Sequence, residues 1–499
     1  MDALANLALG FGVALTAQNI IYCFIGVFLG TVVGVLPGIG PVTTVAMLLP
    51  ISFTLQPVSA MIMLAGIYYG AQYGGSTTAI LINIPGEASS VVTTLDGHQM
   101  ARQGRAGPAL GIAAIGSFFA GCAATLLICL AAPPLAALAL EFGPAEYFSL
   151  MVCGLIAAVV LARGSVVKAI GMVVLGLLLG LSGTDVNSGI RRFTFGFQGL
   201  ADGIEFVALS MAIYGIAEVA YNLEKSAAQT GIAAHIGRVW PAWADIRICI
   251  PSILRGTILG SLLGVLPGGG ALLAAFGAYT LEKKVAKPPR TFGEGDIRGV
   301  AAPESANNAG AQTSFIPMLT LGIPSNPTMA MMIGALMIHG ISPGPRVMTE
   351  RPELFWGLVA SMWVGNLMLV ILNLPLVGMW VKLLRIPYRL LFPTIIGFCC
   401  VGAYAVNSNV FDLLVMAFFA VFGYFCLKLE CEPAPLILGF VLGPMMEENL
   451  RRALLISRGD PRVFVEEPIS LAFLIAAALL LIVVAAPAIR QKREEALQE

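Results

Sequence analysis

An all-α polytopic membrane protein with two inverted-topology repeats is the fold that the sequence predicts, on three observations. First, 58% of the 499 residues are hydrophobic and only 11% are charged, against about 25% charged in soluble proteins. Second, apolar stretches recur at 108–132, 144–162, 203–221, 354–376, 410–427 and 468–487, each near the length of about 20 residues that a membrane helix needs. Third, the chain repeats itself. Residues 26–40 read GVFLGTVVGVLPGIG and residues 256–270 read GTILGSLLGVLPGGG, with nine identities in fifteen positions.

Each copy closes an apolar stretch with Leu-Pro-Gly-x-Gly, so a helix is interrupted inside hydrophobic sequence. Backbone is broken at membrane depth only where protein or a water-filled cavity satisfies its polar groups. Matched breaks in two halves point to a secondary transporter's binding site, built from broken helices or re-entrant hairpins. About 10–13 membrane segments are expected from the apolar stretches. The first repeat occupies residues 1–247, the second 248–430, and a C-terminal extension with a final span 431–499.

In repeat one, the span 19–36 leads into the turn Pro37–Gly40 and the piece Pro41–Phe53. A second broken segment is read at 58–74, interrupted by Tyr73-Gly-Gly-Ser-Thr-Thr78, resumed at Ala79–Ile84 and stopped by Pro85-Gly86. In repeat two, 249–266 leads into the turn 267–270 and the piece 271–281. Its second segment is Ala306–Ile323, stopped by Pro324. Gly70-Ala-Gln72 resembles Gly310-Ala-Gln312, and Ile84-Pro85 resembles Ile323-Pro324.

Charge separates the copies. Residues 51–58 carry none, whereas 283–298 hold Lys283, Lys284, Lys287, Arg290 and Arg298. Basic short loops stay cytoplasmic, so the equivalent loops are expected on opposite sides of the membrane. The run Arg490-Gln-Lys-Arg493 places the C-terminus inside by the same rule. The loop 447–467 then faces outward despite Arg451, Arg452, Arg458 and Arg462. Either 433–446 does not fully cross, or neighbouring acids blunt the signal. The first basic residue is Arg102, so no cleaved signal peptide is expected.

Glycines Gly26, Gly30 and Gly34, like Gly256, Gly260 and Gly264, repeat every four residues and permit close helix approach. The turns point to a ligand instead. Gly38 and Gly40, followed by Pro41 at the first helical position, leave N–H groups free near the hydroxyls of Thr43 and Thr44. Such a helix start receives anions. Gly268, Gly269 and Gly270 offer bare backbone in the second copy, and Ser76 and Thr77 add hydroxyls. Asn307, Asn308, Gln312 and Asn326 can bond a carboxylate or expose carbonyls to Na⁺. Glu304, in Pro303-Glu-Ser-Ala-Asn-Asn308, is the candidate for ion coupling, since an intramembrane acid is costly and marks an ion path. Capping the following helix is the alternative for Glu304, and Glu87 and Asp96 sit near another break.

Nine cysteines form no CxxC pair and read as apolar packing residues. No metal site is expected beyond the transported cation, and no basic patch suggests nucleic acid. His98 and His235 read as loop residues without partners, and His339 as a packing residue.

Long runs carry a family resemblance: GVLPGIGPVTTVAMLLP, YYGAQYGGSTTAILINIPGEASSVVTTLDGHQMARQGRAGPAL, GVLPGGGALLAAFGAYTLEKK and PESANNAGAQTSFIPMLTLGIPSNPTMA. Over nearly the whole chain they resemble the large membrane subunit of tripartite tricarboxylate transporters. The resemblance implies a multi-pass carrier of the bacterial inner membrane, symporting an organic carboxylate with Na⁺ or H⁺ and needing no cofactor. It implies two partners, a small membrane subunit and a periplasmic solute-binding protein. It does not make the substrate citrate, because binding proteins in this family differ in ligand. An ion channel would show charge rings or a carbonyl filter. An intramembrane enzyme would show HExxH, which is absent, or a histidine near GxSxG.

Overall fold

The computed structural model describes residues 3–36, 40–162, 165–185, 187–226, 239–266, 270–288, 291–383 and 388–485. Its first half contains α1 (Ala3–Ala14), α2 (Ala17–Val35), α3 (Pro41–Phe53), α4 (Pro57–Ile82), α5 (Val91–Arg102), α6 (Ala106–Leu140), α7 (Pro144–Leu161) and α8 (Val166–Gly180). Helix α9 follows as Phe206–Ser210, a π-helical stretch Met211–Ala217, and Glu218–Ser226. The second half contains α10 (Trp243–Gly264), α11 (Gly270–Val285), α12 (Arg298–Thr313), α13 (Phe315–Leu321), α14 (Pro327–Ile338), α15 (Arg346–Glu350), α16 (Pro352–Asn373), α17 (Val377–Leu383), α18 (Tyr388–Asn407) and α19 (Val410–Lys428). Helices α20 (Ala434–Ile456), α21 (Val463–Glu466) and α22 (Pro468–Ala485) complete the chain. Among the described residues, six helices are long and apolar enough to cross a membrane, beside seven shorter apolar ones. This is a helical polytopic membrane protein.

Glycine spacing decides which helices meet. A Cβ at Gly26, Gly30 or Gly34 would collide with the carbonyls of Met63, Ile67 and Ala71, so α2 lies directly on α4. In the same way Gly256, Gly260 and Gly264 press α10 onto Ala302, Ala306 and Gly310 of α12. Residue numbers rise together in both pairs, so each pair runs parallel. Between the pairs the order reverses. Tyr68 meets Phe315, Ser76 meets Glu304, and Gly97 sits between Ile80 and Val300. Helix α4 therefore crosses α12 head to tail.

The second hairpin is also clamped by charge. Arg255 of α10 grips the buried Glu282 of α11 through two bonds of 2.7 and 2.8 Å, and Ser252 adds a third at 2.8 Å. Bidentate guanidinium–carboxylate pairing fixes angle as well as distance.

Three expectations need correction. The run 73–78 does not interrupt α4. Its hydroxyls bond backward, Ser76 to the Gln72 carbonyl at 3.0 Å and Thr78 to the Gly75 carbonyl at 2.9 Å, so they leave the helical N–H ladder intact. The helix stops at Asn83, whose φ of 59° is left-handed. In the second half the segment begins at Arg298 rather than Ala306 and is articulated at Ser314, between α12 and α13. Finally, His98 lies on α5, with Nδ1 3.2 Å from the Ile80 carbonyl. His339 packs on Phe53, and His235 lies outside the described residues.

Two of the four arginines of 447–467, Arg451 and Arg452, pair with acids. Helix α20 runs unbroken for 23 residues. Arg451 lies 2.7 Å from Glu447 and 3.1 Å from Asp185, Arg192 lies 2.7 Å from Glu447, and Arg452 pairs with Glu448. Carboxylates thus offset the charge of Arg451 and Arg452.

Candidate functional site

Where α4 crosses α12 the contact is polar. Helix α4 brings Gln72, Tyr73, Ser76 and Thr77, while α12 brings Glu304, Asn307 and Asn308. The break after α4 supplies Glu87 and Ser89, α5 supplies Thr93, and α6 supplies Ser117. Glu304 is only 1% exposed. Its carboxylate accepts Ser76 Oγ at 2.5 Å and the Thr93 hydroxyl on the other oxygen. Asn308 Nδ2 donates to Ser117 Oγ at 2.7 Å. Beside them a small cavity is lined by Tyr73, Ser76, Thr77, Ser117, Glu304 and Asn373. The Tyr73 hydroxyl, Asn308 Oδ1 and both amide atoms of Gln312 are buried without hydrogen-bond partners. Buried polar atoms are nearly always paired, so these atoms stand out as unused hydrogen-bonding capacity.

Glu87 caps the helical turn after the break, accepting the Ser89 N–H at 3.0 Å, and reaches Asn307 Nδ2 at 3.3 Å. Among the described residues neither Glu87 nor Glu304 forms an ion pair. Their donors are hydroxyls, amides and backbone N–H groups.

The candidates from the sequence fall into three groups. Ser76, Thr77, Glu304, Asn307 and Asn308 converge as just described. Gly270 and Asn326 form a second cluster. Gly270 starts α11 at φ 26° beside Ser314 and Asn326. Asn326 caps α14 through the Met329 N–H at 3.0 Å and donates to Tyr68 Oη and Ser314 Oγ at 3.1 Å each. The third group is turned elsewhere. Thr44 bonds the Gly40 carbonyl at 3.1 Å. Thr43 donates to the Tyr214 carbonyl at 2.6 Å, inside the π-helical stretch of α9. Gly40 has φ −81° and open space around it. Gly38, Gly268 and Gly269 lie outside the described residues.

The sequence reading missed Gln72, Ser89, Thr93 and Ser117. The signal was present, since Ser89 and Thr93 stand four apart after the break and so share a helix face. Gln72 stands in the repeated Gly-Ala-Gln. Glu304 does not cap a helix, because it lies in the second turn of α12.

Comparison with known proteins finds close relatives of the chain. The chain is 57% identical over 499 residues, all of it and 99% of the relative, to an Agrobacterium vitis protein described as an uncharacterized 52.8 kDa protein in the TAR-I ttuC' 3'region. It is also 57% identical over 240 residues, 48% of the chain and 99% of the relative, to an uncharacterized protein in the TAR-II ttuC' 3'region of the same organism. No solved structure matches. Residues 20–438 match the model of the tripartite tricarboxylate transporter TctA family. The chain belongs to that family, as the large membrane subunit of a tripartite transporter.

Proposed function

We propose that this chain is the carrier of an ion-gradient-driven importer in the bacterial inner membrane. Its substrate is an organic carboxylate, a tri- or dicarboxylate or related acid, handed over by a periplasmic solute-binding protein. The two halves are inverted repeats that alternate access, and Glu304 couples the cycle to Na⁺ or H⁺. The observation that carries this reading is Glu304 itself, a buried carboxyl at the contact between halves, without a basic partner among the described residues. Two further observations support it. The parallel pairs α2–α4 and α10–α12 cross head to tail, as opposite orientations require. Gly270 and Asn326 sit together at the second break, where a helix start can receive a carboxylate. Gly40 and Thr44 start the matching helix of the first half.

The test is reconstitution in liposomes with the small membrane subunit and the binding protein. Gradient-driven, saturable uptake of the binding protein's ligand is expected. Conductance without saturation, or product formation, would replace the carrier with a channel or an enzyme. Topology has its own test. Gln56 and Lys287 are both exposed, and single cysteines there, in a background without native cysteines, should react with impermeant reagent from opposite sides. Labelling from one side would end the inverted-repeat reading.

A further inference from the structure

Between α8 and α9 the chain forms a short hairpin, with Gly183 paired to Arg192 and Thr184 to Arg191. Its root is polar and fixed. Arg192 donates to both carboxylate oxygens of Glu447 on α20, at 2.7 and 3.0 Å, and Asp185 pairs with Arg451 at 3.1 Å. Helix α20 carries Glu447, Glu448, Arg451 and Arg452 on successive turns here. Charge of that density belongs outside the hydrocarbon region.

The far side of the same segment is apolar. Ile190, Phe193, Phe195 and Phe197 are exposed, Phe195 by 83%. Phe193 and Phe195 adopt φ of 53° and 50°, a left-handed conformation that bulky residues rarely hold. The backbone around them is nonetheless tied down. The Asp185 N–H donates to the Ile190 carbonyl at 2.9 Å, and the Phe197 N–H donates to the Thr194 carbonyl at 2.8 Å. Large apolar side chains held outward together in one segment mark an interaction surface.

Its neighbour indicates what covers it. Phe197 packs on Phe411 with ring centroids 6.3 Å apart, and a Cβ at Gly199 would strike the same ring. The segment therefore rests on the first turn of α19, a helix long and apolar enough to cross a membrane. Phe411 stands three and seven residues before Leu414 and Phe418, so the three share one helix face. Leu414 and Phe418 are exposed on that face, where a spanning helix meets lipid. The hairpin phenylalanines thus prolong a lipid-facing stripe toward the charged level of Glu447. Arg191 is exposed among them and forms no ion pair among the described residues, and a free cation at this level suits phosphate headgroups. A surface for a soluble partner would stand clear of the span, whereas this one rests against it.

We propose that residues 190–197 form an interfacial anchor, seating Ile190, Phe193, Phe195 and Phe197 at the headgroup boundary of the bilayer beside α19, with Arg191 among the phosphates. This contact with lipid is independent of the carrier reading.

The experiment uses the full-length chain without its native cysteines, reconstituted in nanodiscs and spin-labelled at Phe195→Cys. Collision of the label is measured with oxygen, which concentrates in lipid, and with a water-soluble nickel chelate. Leu414→Cys serves as the lipid reference and Gln56→Cys as the water reference, both positions being exposed. The label at 195 should collide with nickel several-fold less often than the label at 56, and with oxygen nearly as often as the label at 414. Nickel access equal to that at 56 would overturn the anchor. So would protection that arises only on adding the small membrane subunit or the binding protein, which would make the segment a protein docking surface. Should Phe195→Cys fail to fold, Ile190→Cys takes its place with the same expected outcome.

Discussion

The two helix caps that follow the breaks are the same device with different chemistry. Glu87 caps the turn after α4 and reaches across to Asn307 of α12. Asn326 caps α14 and reaches back to Tyr68 of α4. Each cap therefore leaves its own half and bonds the long helix of the other. The glycine contacts beneath them correspond as well, Ile67 standing to Gly30 as Ala306 stands to Gly260. One cap is a carboxylate bonded by Ser89 and the Asn307 amide, and the other is a neutral amide among hydroxyls. The two helix pairs share a glycine frame, because close helix contact tolerates only small residues there. The polar residues at the breaks differ, and the two acids, Glu87 and Glu304, lie at the first.

The comparison can be broken at its base. Gly30→Val and Gly260→Val place side chains against the carbonyls of Ile67 and Ala306. Both should destabilise by about 3 kcal/mol or more, the upper range for overpacking, and lose the monodisperse peak in size-exclusion chromatography. If one variant is tolerated, the two contacts are not equivalent.

The chemical difference is sharpened by two variants, one in each polar cluster. Glu304→Gln should reduce gradient-driven uptake at least about tenfold, near 1.4 kcal/mol, while substrate counterflow persists. Asn326→Ala should instead cost helix capping, roughly 1 kcal/mol, and alter substrate affinity without changing ion dependence. Equal loss of counterflow and uptake in Glu304→Gln would make that residue structural.

A smaller contrast lies at the two turns. Gly40 has an ordinary φ and free space, so Gly40→Ala should fold normally, whereas Gly270 at φ 26° should be strained by the same change. The expected penalty at Gly270 is about 1 kcal/mol, read as a lower Tm for Gly270→Ala alone. Any transport defect of Gly40→Ala would then report on ligand rather than on backbone.

The smallest effect concerns charge outside the spans. The Ser188 hydroxyl, with the Asn187 N–H and Arg451, holds the Asp185 carboxyl down to about 2. A carboxyl near 3.9 when unfolded then contributes stability above that pH and loses it as pH falls toward 2. Asp185→Asn should lower Tm slightly at neutral pH, and the gap should close on acidification. A gap independent of pH would show that the charge network does not stabilise the loop 183–192.

What the sequence determined by itself is local in origin. Apolar length marked the spans, proline and glycine marked the breaks, and four-residue glycine spacing marked the faces that touch. Each of these signals fits within one or two helix turns, where composition alone sets the cost. Only the tertiary structure decided which polar groups meet. Ser76 and Glu304 are brought together by the crossing of α4 over α12, and no local pattern encodes that crossing. The same holds where expectation failed. Thr43 and Thr44 looked free to bind a ligand, yet Thr43 is taken by a π-helix carbonyl 171 residues away and Thr44 by its own turn. A hydroxyl's partner depends on what packs against it, and in this fold that neighbour comes from a distant part of the chain.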